Sequence, residues 1–82
     1  MPTVFIEGPY AFRFFSSDQS EPIHIHVVHD NREAKFWLNP VKIAREGRFR
    51  QVDLREIERI IKDNLEFLLN AWEEEKGKHV NG

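Results

Sequence analysis

The stretch Glu21–Leu38, Glu-Pro-Ile-His-Ile-His-Val-Val-His-Asp-Asn-Arg-Glu-Ala-Lys-Phe-Trp-Leu, decides the fold. Two runs rich in branched and aromatic residues, Ile23 to Val28 and Glu33 to Leu38, flank Asp30-Asn31, a pair that tolerates positive φ and suits a tight turn. Side chains alternate along an extended chain, so His24 and His26 point one way, about 7 Å apart, while Ile23, Ile25 and Val27 point the other way. With Asp30 and Asn31 as the two central turn residues, Ile25 faces Phe36 and Val27 faces Ala34 on one side. His24 then faces Trp37, and His26 faces Lys35, on the other. A slip of one residue sets Ile25 against Trp37 and mixes the two sets, so the separated register is expected.

Thr3 to Ile6 and Tyr10 to Ser16 are also strand-like and are joined by Glu7-Gly8-Pro9, which gives an amino-terminal hairpin. In it Phe12 and Phe14 lie on one side, with Arg13 and Phe15 opposite. Beyond Leu38, Asn39-Pro40 ends the strand, Val41 to Ala44 alternate weakly as a short fifth strand, and Arg45 to Gln51 form a loop around Gly47. Asp53 is the expected helix N-cap, with Glu56 completing a capping box and Gly77 as the stop. Leu54, Ile57, Ile61, Leu65, Leu68 and Trp72 recur at intervals of three and four, widened by Ile60, Leu69 and Ala71, so one helix face is buried. A helix from Asp53 to Lys76 spans roughly 36 Å against about 20 Å for a six-residue strand. Its last turns are therefore expected to overhang the sheet. Leu69 and Trp72 then need cover from a second subunit, a partner or the amino-terminal hairpin. The expectation is an α+β fold: an antiparallel sheet of four or five strands in two hairpins, packed on one long C-terminal helix in two layers. Residues 1–77 form a single domain and 78–82 a disordered tail.

Composition narrows the functional classes. A chain of 82 residues holds one core and no separate cofactor domain. The lack of cysteine excludes a disulfide framework, a thiolate metal site and a cysteine nucleophile, and suits a reducing cytosol. No apolar run is long enough to cross a bilayer and the amino terminus lacks the pattern of a secretory signal, so a cytoplasmic protein without membrane contact is expected. A formal charge of -2 is not that of a general nucleic-acid binder. The charges are unevenly spread, however: Lys42, Arg45, Arg48, Arg50, Arg55, Arg59 and Lys62 crowd the middle, and Asp63, Glu66, Glu73, Glu74 and Glu75 follow. The basic segment suits phosphates and the acidic one a basic partner, although both also suit plain solvated surface.

A helix covers one face of a sheet. The other face should display Arg13, Phe15, His24, His26, Lys35 and Trp37, with Arg48 and Arg50 near one edge. Cations interleaved with flat rings match the needs of single-stranded RNA binding. A metal-free ribonuclease needs a base, an acid and a cation, roles that His26, His24 and Lys35 or Arg13 can fill. Against this, Trp37 and Phe15 equally suit a dimer interface, and strand histidines are commonly ordinary polar-face residues. A metal at His24 and His26 needs a third ligand, from His29, Glu21 or Asp18. No metal and no cofactor are expected. A phosphate-binding glycine loop, a nucleophile elbow and a zinc-protease helix motif are all missing.

Met-Pro-Thr at the start, the aromatic strand Phe12 to Phe15, Glu21-Pro22, His24-Ile25-His26-Val27, Ala34-Lys35-Phe36-Trp37-Leu38, Pro40, Gly47, Leu54-Arg55-Glu56-Ile57 and Trp72 follow one another in this chain. In these the sequence resembles domain-of-unknown-function family 4160, a group of short bacterial proteins, over nearly its whole length. Ile23 departs from the family pattern, which has a second proline there. The resemblance implies a small protein partner encoded by a neighbouring gene, in an arrangement similar to toxin and antitoxin pairs. The strand order also looks like that of HicA-type messenger-RNA interferases, without their Gly-Ser before the histidine or their amino-terminal helix. The expected function is the partner-binding member of a toxin-antitoxin-like pair with an RNA-binding or RNA-cleaving sheet face. His24, His26 and Lys35 are the candidate catalytic groups, Arg13, Phe15, Trp37, Arg48 and Arg50 the binding groups, and Leu69 and Trp72 the partner interface. The alternative is a non-enzymatic interaction module, homodimeric or heteromeric.

Overall fold

A computed structural model of the chain describes residues 3–14 and 21–80, with side chains over 4–14 and 21–74. Strands β1 (Thr3–Glu7), β2 (Tyr10–Arg13), β3 (His24–His29), β4 (Arg32–Leu38) and β5 (Val41–Arg45) lie side by side in chain order. Every neighbouring pair is antiparallel. Helices α1 (Gln51–Asp63) and α2 (Leu65–Val80) follow. The fold is α+β, an open five-stranded antiparallel sheet with two helices.

The β3–β4 hairpin has the register that separates its two sets of side chains: His24 opposite Trp37, Ile25 opposite Phe36, His26 opposite Lys35 and Val27 opposite Ala34. Asp30 takes the positive φ that the two-residue turn demands, at 55°. Ile25, Val27, Ala34, Phe36 and Leu38, with Phe12 and Phe14 from the first hairpin, are buried in one cluster with Leu54, Ile57, Ile60, Ile61, Leu68 and Trp72 of the helices. Complete burial of such side chains supplies most of the driving force for folding, roughly 1.5–3 kcal/mol for each. Phe5 adds to the cluster by stacking on its cross-strand partner Phe12, with ring centroids 4.5 Å apart.

The helical part departs from expectation in three ways. The chain does not form one helix from Asp53 to Lys76; it divides at Asn64, whose φ of -117° and ψ of 19° interrupt the helical path. There the Asn64 side-chain amide donates to the Ile60 carbonyl at 2.8 Å, a local bond that competes with helix continuation. The apolar stripe runs unbroken across this point, which is why periodicity alone does not reveal it. The start also differs: Arg50 is the N-cap, without a side-chain capping bond, and Asp53 lies in the first turn. At the other end α2 passes Gly77 and reaches Val80. The second strand is shorter than expected, since β2 ends at Arg13 and residues 15–20 lie outside those described. Among the described residues no helix is long and apolar enough to cross a membrane.

The loop from β5 to α1 is seated against β4 by Gly47. Its φ is 62°, and a Cβ placed there would stand 1.9 Å from the Glu33 carbonyl oxygen. Only glycine fits both the left-handed backbone and the close approach. Arg48, also at positive φ, secures the same loop by donating to the Asn31 carbonyl at 2.8 Å. Gly47→Ala should therefore lower stability by about 2 kcal/mol or more, from backbone strain and overpacking together. Urea unfolding checks this; an unchanged midpoint would contradict the seating.

Candidate functional site

Register places the candidate groups. Because Ile25, Val27 and Phe36 turn into the core, His24, His26, Lys35 and Trp37 share the other side of the β3–β4 pair. The two imidazole rings meet edge to face, with centroids 5.2 Å apart. His24 also meets the Trp37 ring at 5.7 Å and the Trp72 ring at 5.6 Å. Lys35 holds its ammonium 4.8 Å from the centre of the Trp37 ring and pairs with the Glu21 carboxylate. Arg13 lies across from His26 in the β2–β3 register. Its Nε is buried and has no hydrogen-bond partner among the described residues.

Hydrogen bonds orient both imidazoles. Nδ1 of His24 donates to the Pro22 carbonyl at 2.8 Å, and Nδ1 of His26 donates to the Glu33 carboxylate at 3.1 Å. Neither acceptor carries a proton to give, so each of these bonds needs a hydrogen on Nδ1. The same Glu33 oxygen lies 3.8 Å from Arg45 Nη2, which extends the chain of charges to β5. Glu33 was not among the candidates read from the sequence. It stands opposite Val28, diagonal to His26, and diagonal neighbours on one sheet face are within reach of long side chains.

The histidine side differs from the exposed face expected of it. His24 retains 1% of its accessible surface and His26 5%, and the Lys35 side chain retains 15%. Trp37 is half-buried. Trp72 accounts for part of this cover. It does not overhang: it is buried, edge-on against Phe14 at 5.2 Å and tilted against His24. Of the three covers expected for it, a second subunit, a partner or the amino-terminal hairpin, the last is present in Phe14, with His24 beside it. Leu69 is partly buried against the core.

The remaining candidates lie elsewhere or outside the described residues. Arg48 is bound to the β3–β4 turn through Asn31. Arg50 is at the start of α1, bonded to Asp53 at 3.2 Å, near the core residue Tyr10. Neither joins the network around His24. Phe15 and Asp18 fall outside the described residues. His29 turns its ring to Tyr10, on the side of the core. Among the described residues no three His, Asp or Glu side chains converge as a metal ion requires.

A family model described as Domain of unknown function (DUF4160) matches residues 10–73. The chain belongs to this family. No curated protein and no solved structure matches it. The DUF4160 span begins at Tyr10 in β2 and ends one residue past Trp72, so the entire network of Arg13, Glu21, His24, His26, Glu33, Lys35, Trp37, Arg45 and Trp72 lies within it.

Two measurements follow. Trp72→Ala should cost about 3 kcal/mol in denaturant unfolding, because it empties a site between Phe14 and His24; a loss under about 1 kcal/mol would show that the indole is not buried there. At the start of α1, the hydrogen bond from Arg50 holds the Asp53 carboxyl below its ordinary value. Stability from that lowered carboxyl is complete above the ordinary carboxylate range and is lost as pH falls through the lowered value. Arg50→Ala should move the Asp53 titration upward, followed by the side-chain carboxyl resonance, and an unmoved titration would remove the interaction.

Proposed function

We propose that this protein is the partner-binding member of a toxin-antitoxin-like pair, with a small partner encoded beside it, and that its histidine-bearing sheet side engages RNA. The observation that carries this reading is the convergence of one cation and several flat rings: Lys35 over Trp37, with His24 and His26 directly behind. An indole beside an ammonium offers a base a stacking surface and its phosphate a charge. Contact of this kind requires only the rim, Trp37 and Lys35. A cytoplasmic location suits a chain without cysteine.

Cleavage asks more. In a metal-independent reaction His26 Nε2 takes the proton of a ribose 2′-hydroxyl and the freed oxygen attacks phosphorus. The bond from phosphorus to the 5′ oxygen breaks, and His24, as imidazolium, gives that oxygen its proton. A 2′,3′-cyclic phosphate and a 5′-hydroxyl result. Lys35 and Arg13 would face the charge that gathers on the phosphoryl oxygens. Since both imidazoles are buried, this step also requires the cover over His24 to move.

The burial of His24 and His26 favours a second reading, an interaction module without nucleic-acid activity, homodimeric or heteromeric. Ile6, Val52 and Phe67 are large apolar side chains left exposed and are available to such contacts. Titration of single-stranded RNA against Trp37→Ala separates the two. Loss of one stacked base should weaken binding about tenfold; wild-type protein that binds no RNA, or a variant with equal affinity, rejects the RNA reading. If cleavage is seen, His26→Ala should abolish it, and a variant as active as wild type would rule out the catalytic role.

A further inference from the structure

We propose that Glu33 is a positioning residue, one that fixes His26 as the Nδ1–H tautomer and so turns the basic Nε2 away from β4. The role in RNA cleavage rests on the reading above; the tautomer itself does not.

Three observations support it. The Glu33 carboxylate accepts from His26 Nδ1 at 3.1 Å, and a carboxylate at that distance admits only the hydrogen-bearing nitrogen. Glu33 is itself held: its backbone carbonyl lies beneath Gly47, where no side chain fits, and its carboxylate is 3.8 Å from the Arg45 guanidinium. The pair also spans the boundary between interior and solvent. The His26 side chain is 7% exposed and the Glu33 side chain 41%, so the ring is in a low-dielectric setting while its acceptor reaches water. A buried imidazole between strands can present either nitrogen to a substrate, and only one is a base in the neutral ring. The carboxylate across the hairpin favours the hydrogen on Nδ1. At His24 the same nitrogen meets a different acceptor, the Pro22 carbonyl at 2.8 Å, with the Glu21 carboxylate 4.0 Å away.

This difference provides an internal control. The full chain, labelled with nitrogen-15, is compared as wild type, Glu33→Gln and Glu33→Ala in mildly alkaline buffer, and long-range nitrogen–proton spectra report the tautomer of each ring. Wild type should show Nδ1–H at both His24 and His26. Glu33→Ala should move His26 toward the Nε2–H form and leave His24 unchanged. Glu33→Gln, whose amide oxygen still accepts, should retain Nδ1–H at His26. An Nε2–H His26 in wild type, or an unaltered His26 in Glu33→Ala, overturns the proposal. On an RNA that wild type cleaves, Glu33→Ala should lower kcat by about 10- to 100-fold with KM nearly unchanged, with Glu33→Gln in between. Equal kcat overturns the positioning role. Wild type without cleavage, alongside the expected tautomer change, upholds the role of Glu33 toward His26 and removes the ribonuclease reading instead.

Discussion

Pairing Ile25 with Phe36 and Val27 with Ala34 commits those four side chains to the core and, through the pleat, commits His24, His26, Lys35 and Trp37 to the opposite side of the hairpin. The cost of the alternative is large, because a one-residue slip would place aliphatic side chains where the imidazoles now lie and bury polar groups beneath the helices. The Asp30-Asn31 turn sets the same register from the end of the hairpin, with Asp30 at positive φ. Strand, turn and core agree on one arrangement, and the histidine cluster is its consequence.

What that cluster lacks is access. Two imidazoles in contact, with His24 lodged between Trp37 and Trp72, form a polar interior rather than a bare platform. Buried polar groups are tolerated where hydrogen bonds replace water, and here the Pro22 carbonyl and the Glu33 carboxylate do so. The accessible part of the site is its rim, where Lys35 bridges the Trp37 ring and Glu21. Binding at the rim and chemistry behind it are therefore separate questions, and the position of α2 connects them, since Trp72 touches both Phe14 of the core and His24.

The hairpin and its two faces were legible from residues 21–38 because alternation has a period of two and the turn chemistry is specific. The first four strands were legible for the same reason, the fifth only as a weak alternation over Val41 to Ala44, and membership of the DUF4160 family from the order of the motifs. The division at Asn64 was not, because the spacing of Ile61, Leu65 and Leu68 is as helical across it as within either segment, and one side-chain bond to Ile60 makes the difference. The clasp of Trp72 on His24 depends on where α2 runs, a tertiary matter that periodicity does not address. Glu33 was within reach of the sequence: the register made it the diagonal neighbour of His26, and only its ordinary appearance beside the turn concealed it. Arg48 and Arg50 were expected near one edge of the histidine-bearing face as part of a basic loop; their acceptors in the structure, the Asn31 carbonyl and the Asp53 carboxylate, are set by tertiary and first-turn geometry that composition does not reveal.

A nuclear Overhauser spectrum of the intact chain tests the division of the two sides most directly. The account requires cross-peaks from the His24 ring protons to the His26 ring and to the indoles of both Trp37 and Trp72. A His24 ring that contacts Phe36 and Leu54 in the core, with no cross-peak to either indole, would contradict it.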